Sequence, residues 1–174
     1  GAAARQYLHD KVATLDAIRE ELKNVKDPLG GIRNLKEENT QLKKQIEEMI
    51  REKAGSAKGE WLQRAEDKGD YKLIVERTAL GAGAVKDILF QLKNEAGPLA
   101  AVIGVEDEGK AQIAVAFSDE LAKEKGWHAG NMVRELAKEI SGGGGGQPFF
   151  ATAGGKDPSG LDAALQKART LLNS

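Results

Sequence analysis

Cysteine is absent from this 174-residue chain, which rules out disulfides and thiolate-ligated metal sites. Histidine is nearly absent. His9 and His128 lie 119 positions apart, and neither sits in a metal-ligand spacing. No apolar run approaches the roughly 20 residues of a membrane-spanning helix, and no signal-peptide pattern is visible. Aromatic residues make up only 5% of the chain, against 30% charged residues, a balance common where part of a chain is a solvated helical pair. The net charge is −1, so a broad electrostatic attraction to nucleic acid is excluded and any such contact has to be local. No serine nucleophile elbow, phosphate-binding GxxxxGK[ST] loop or dinucleotide fingerprint occurs. The expectation is a chain with no self-sufficient catalytic site and no cofactor or metal of its own.

Glycine is what the chain has in abundance. Residues 141–158 read SGGGGGQPFFATAGGKDP, with five consecutive glycines and then a second pair. Glycine loses more backbone freedom on folding than any other residue, so an ordered run of five calls for a reason. A flexible linker is one reading. A backbone loop that closely approaches another part of the protein, or a ligand phosphate, is the other. Gly154 and Gly155 precede a helix opened by Asp157 as N-cap and Pro158 at its first position. The first amides of a helix attract anions, and Lys156 adds positive charge there. Against this, the Asp157 carboxylate competes for the same amides. The candidate contact residues are therefore Gly142, Gly143, Gly144, Gly145, Gly146, Gly154, Gly155 and Lys156. Packing of loop on helix remains the alternative.

The rest of the chain divides in two. Leu8, Val12, Leu15, Ile18, Leu22 and Val25 share one helical face. After the breaker Asp27-Pro28-Leu29-Gly30-Gly31, a heptad seam runs through Ile32, Leu35, Asn39, Leu42, Ile46 and Met49. The short turn predicts an antiparallel helical hairpin, a coiled coil, over 1–57, with arms of about 30–35 Å. The small residues at 54–59 predict a break, followed by a short helix over 60–68. A globular α+β domain is expected over 58–174. Its strands fall near 71–76, 99–105 and 111–117, its amphipathic helix carries Val85, Ile88, Leu89 and Leu92, and further helices end at the glycine-rich loop and at the C-terminus. The sheet is expected to be small and mostly antiparallel, packed with helices.

The segment GGGGGQPFFATAGGKDPSGLDAAL resembles the closing segment of alanyl-tRNA synthetases, a domain type also found behind DHH-family phosphoesterases. The resemblance extends to YKLIVER, to LAAVIGVEDEGKAQIAVAFS and to WHAGNMVRELAKEISGG, and the helical hairpin favours the synthetases. It implies a C-terminal module that binds the elbow of alanine-accepting tRNA, links aminoacylation to editing, and in some members forms a homodimer. It implies ATP, magnesium and zinc confined to domains upstream; the expected setting, from the missing cysteines and apolar runs, is a reducing cytoplasm with no membrane or DNA partner. Two departures stand out: Gln147 and Thr152 occupy positions where the family usually carries a basic residue and a glutamine. An oligomerisation module without RNA contact, and the substrate-recognition tail of a phosphoesterase, are the alternatives.

Overall fold

The computed structural model describes residues 1–23 and 25–173; Asn24 of the first expected arm and Ser174 at the end of the expected globular domain lie outside them. The chain forms two compact units, Gly1–Glu48 and Met49–Ser174.

The first unit is the helical hairpin. Helix α1 (Ala2–Glu21) and the start of α2 (Pro28–Gln63) flank the turn. Both helices carry the apolar stripe that the periodicity predicts, yet no residue of α1 is buried. Leu15 is 54% exposed and Leu42 52%. Burial begins only near the turn, at Ile18, Leu22 and Gly31. There a Cβ on Gly31 would stand 3.5 Å from the Leu22 side chain.

Helix α2 does not break at 54–59 but runs unbroken for 36 residues. The physical reason is packing. Ala54, Ala57 and Trp61 lie against an apolar cluster of the second unit, and small residues allow that close approach. Lys58 ties this stretch to helix α3 (Ala82–Glu95) through Glu95 at 2.6 Å and Gln91 at 3.0 Å.

The second unit is a six-stranded sheet in the order β1-β2-β3-β4-β6-β5. The strands are β1 (Glu66–Asp67), β2 (Lys72–Thr78), β3 (Leu99–Asp107), β4 (Lys110–Phe117), β5 (Gly142–Gly146) and β6 (Phe150–Gly155). Every pairing is antiparallel except β2 with β3, which α3 joins as a crossover. Helices α4 (Asp119–Lys125), α5 (Ala129–Ala137) and α6 (Leu161–Leu172) complete it.

Period-2 alternation places two cores on the two faces. Ala111, Ile113, Val115 and Phe117 join Val133, Leu136, Leu161 and Leu165 on one face. Ala101, Ile103, Ala114 and Ala116 join Val85, Leu89, Leu92 and Trp61 on the other. Full burial of a side chain such as Leu99 or Phe117 contributes about 1.5–3 kcal/mol. Tyr71 closes one end by donating its buried hydroxyl to the Leu172 carbonyl at 2.5 Å.

Candidate functional site

Glycines 142–146 form neither a linker nor a loop: they are the edge strand β5. The run has no side chains and hence no alternation to mark it as a strand. Pairing with β6 orders it instead. The register sets Gly142 opposite Gly155 and Gly143 opposite Gly154, so the two glycine tracts lie side by side.

The five glycines are not equivalent. A Cβ on Gly142 would collide with the Gly154 carbonyl, and one on Gly144 with the Thr152 carbonyl. On Gly146 it would stand 2.5 Å from the Phe150 carbonyl oxygen. These three are glycine because β5 curls onto the backbone of β6. Gly143 and Gly154 are different, since a Cβ on either meets no atom within 4 Å. That cross-strand pair is open backbone. Gly155 is a packing glycine, its missing side chain making room for Ile140.

The helix N-terminus after the second tract is already capped. Asp157 accepts from the Ser159 amide at 3.0 Å and from the Ser159 hydroxyl at 2.5 Å, opening a 3-10 turn (Pro158–Gly160) ahead of α6. The amides available to an anion are thereby reduced, as the Asp157 carboxylate implied. Lys156 is exposed beside the open pair's strand.

Arg134 was not legible in the sequence as a site residue. It projects from α5, and a Cβ on Gly145 would stand 3.3 Å from its guanidinium. It donates to the Asn131 amide oxygen at 3.0 Å, its one side-chain partner among the described residues. A guanidinium with no carboxylate partner among the described residues therefore lies over the glycine strand, four positions from Gly130, whose lack of a side chain lets α5 approach the Gly146 carbonyl. Arg134 supplies a cation near the place where Gln147 does not. His128 is structural: its Nδ1 accepts from the Asn131 amide at 3.3 Å as the N-cap of α5. His9 lies exposed on α1.

Among the described residues no group of three His, Asp or Glu could hold a metal ion, and no helix is long and apolar enough to cross a membrane.

Residues 70–174 match the family model described as the DHHA1 domain. The chain is 44% identical over 172 residues to an alanine–tRNA ligase of Christiangramia forsetii, covering 99% of this chain and 20% of that protein. It is 39% identical over 171 residues to an alanine–tRNA ligase of Cytophaga hutchinsonii, covering 98% and 20%. The chain thus spans about a fifth of the length of the curated relatives it matches. Among solved structures, it is similar to the C-Ala domain of Aquifex aeolicus alanyl-tRNA synthetase, with a TM-score of 0.55 and 22% identity over 64% of this chain and 99% of that one. At that identity the likeness concerns the fold.

Proposed function

The chain belongs to the DHHA1 domain family, and from that premise we propose that it is the C-terminal tRNA-binding module of an alanine–tRNA ligase. In this reading it holds the elbow of alanine-accepting tRNA in the cytoplasm and so links aminoacylation to editing. The observation that carries the proposal is the pairing of the two glycine tracts into one bare edge of sheet, open at Gly143 and Gly154. With a net charge of −1, affinity comes from a few close contacts and not from a broad field. Open backbone lets main-chain donors reach phosphate or ribose, and Arg134 and Lys156 supply charge beside it. ATP, magnesium, zinc and the chemistry that uses them belong to the rest of such a ligase. The chain alone is expected to give no alanine-dependent ATP–pyrophosphate exchange and no deacylation of mischarged tRNA.

Binding of tRNA, followed by anisotropy at two salt concentrations, tests the proposal. Gly143→Val adds bulk where no packing partner stands, so it weakens binding at either salt while the fold persists. Arg134→Gln and Lys156→Ala each reduce the salt slope by about one. If all three fold and bind tRNA like the parent, the contact surface lies elsewhere, with Lys43, Lys44 and Arg51 of α2 next in line.

A second reading rests on a different observation, the exposed apolar stripe of the hairpin, and makes this chain a homodimerisation module. Sedimentation of the parent against Leu42→Lys distinguishes the two readings, since only the second loses its activity with that substitution.

A further inference from the structure

Aromatic residues are few, yet three of the four phenylalanines meet at one place on the second unit. Phe90 of α3 packs on Phe150 at 5.2 Å between ring centroids. Lys86 stands over both rings, at 5.9 and 6.0 Å. Lys93 stands over Phe90 at 5.7 Å and over Phe149 at 4.4 Å. Phe90 is 37% exposed, and Phe149 and Phe150 are half-buried. A mainly apolar cleft of about 330 Å³ opens beside them, lined by Pro148, Phe149, Ala122, Lys123 and Asp119.

The turn carrying Phe149 is fixed by its backbone. The Pro148 carbonyl accepts from the Ala129 amide at 2.8 Å, and the Phe149 carbonyl accepts from the Phe117 amide at 2.9 Å. The Gln147 amide closes the turn onto the Phe150 carbonyl at 2.8 Å. A backbone held this way leaves only the ring's own side-chain torsions to be ordered when something stacks on it. Of the charged residues lining the cleft, Asp119 is engaged by Lys93 at 2.9 Å, whereas Lys123 has no carboxylate partner among the described residues. Lys86, over the neighbouring Phe90 and Phe150 rings, has none among them either.

We propose that the Phe149 cleft takes an unpaired nucleobase of RNA, stacked on Phe149 with its flanking phosphates at Lys123 and Lys86. This rests on the RNA-binding reading above and adds a recognition element separate from the glycine edge. Base–aromatic stacking beside lysines is the sequence-tolerant mode by which single-stranded segments are held, and it favours unpaired nucleotides because a base inside a duplex has no free face. An apolar protein segment would fit the cleft volume but would leave Lys86 and Lys123 without a purpose.

The test uses the full chain and a fluorescein-labelled, unstructured RNA decamer, in parallel with tRNA and with a blunt RNA duplex. A second decamer carries 2-aminopurine, whose emission reports stacking. The parent is expected to bind the single strand more tightly than the duplex and to quench 2-aminopurine. Phe149→Leu keeps the apolar volume and removes the ring, so it should lose about tenfold or more in decamer affinity together with the quench. Lys123→Gln should lower the salt slope by about one. Binding of tRNA by the parent with no quench, or equal decamer affinity for parent and Phe149→Leu, overturns the cleft and leaves the module's RNA binding intact. A parent that binds neither tRNA nor decamer overturns both. The quench is measured on the parent, so the test holds even if Phe149→Leu fails to fold; 4-thiouridine crosslinks falling outside residues 148–150 would also overturn it.

Discussion

The two units have similar apolar periodicity and opposite outcomes. In the second unit the helical stripe of α3 disappears completely: Val85, Leu89 and Leu92 are inaccessible to solvent. In the first unit the stripe of α1 is as regular, and Leu8, Val12 and Leu15 remain more than half exposed. Periodicity identifies which face of a helix is apolar, but what covers that face depends on elements remote in sequence. Strands β3 and β4 supply the cover in the second unit, and among the described residues of the first unit nothing comparable does.

Substitutions at matched positions break or sharpen this contrast. The largest effect belongs to the buried sheet. Phe117→Ala removes a ring with no exposed surface, packed at a 46° tilt with its centroid 5.4 Å from that of Trp127, and should destabilise the second unit by about 3–5 kcal/mol in urea unfolding. Gly144→Val comes next. It forces a side chain into the Thr152 carbonyl and should cost about 1–3 kcal/mol, whereas Gly143→Val leaves the same transition in place. If the two glycine variants melt alike, β5 does not curl onto β6 as described. Leu15→Lys is smaller still. The helical seam read in isolation would make it severe, but its exposed position keeps it within about 0.5 kcal/mol when unfolding is followed at low protein concentration. A large loss that grows with concentration would mean that a second chain covers the stripe.

The smallest effect is electrostatic. The Asp70 carboxylate accepts from the Lys125 ammonium at 2.6 Å, and this hydrogen bond holds Asp70 below its ordinary value and Lys125 above its own. The Asp70 contribution is present above the unfolded pKa of about 4 and is lost as pH falls through the lower folded value. That of Lys125 is present below about 10.4 and is lost as pH rises through the higher folded value. Asp70→Asn should remove a slight acid-limb dependence of the second unit's melting temperature. An unchanged acid limb would leave the pair without thermodynamic weight, as solvent-exposed pairs often are.

Much of the second unit was legible in the sequence. Ala111, Ile113, Val115 and Phe117 alternate with Gln112, Ala114 and Ala116 because the larger side chains of β4 face α5 and α6, while the small ones meet the core on the α3 side. Asp157 and Pro158 mark a turn start through local chemistry that needs no tertiary partner. The continuation of α2 through 54–59 was not legible, because small residues signal a break in isolation and a close contact in context. The glycine strand was hidden for a related reason: a strand without side chains has no pattern. Of the candidate contact residues, the sequence marks both glycine tracts, but their pairing as adjacent strands and the division into packing and open positions depend on where the β6 carbonyls point. Arg134 reaches Gly145 across eleven positions of chain, a meeting produced by the turn from α5 into β5 and written in no local motif.

The curl of β5 also governs how this segment can drift. Any replacement of a glycine introduces a Cβ, so tolerance along the run is decided by space, and at Gly146 also by its φ of 159°, and not by polarity or charge. Positions 142, 144 and 146 face carbonyls that cannot retreat, position 143 faces nothing, and position 145 faces the movable end of a long side chain. A saturation scan of the five codons should therefore return a ladder with a period of two, forbidden rungs alternating with permitted ones, within a stretch whose sequence is perfectly uniform.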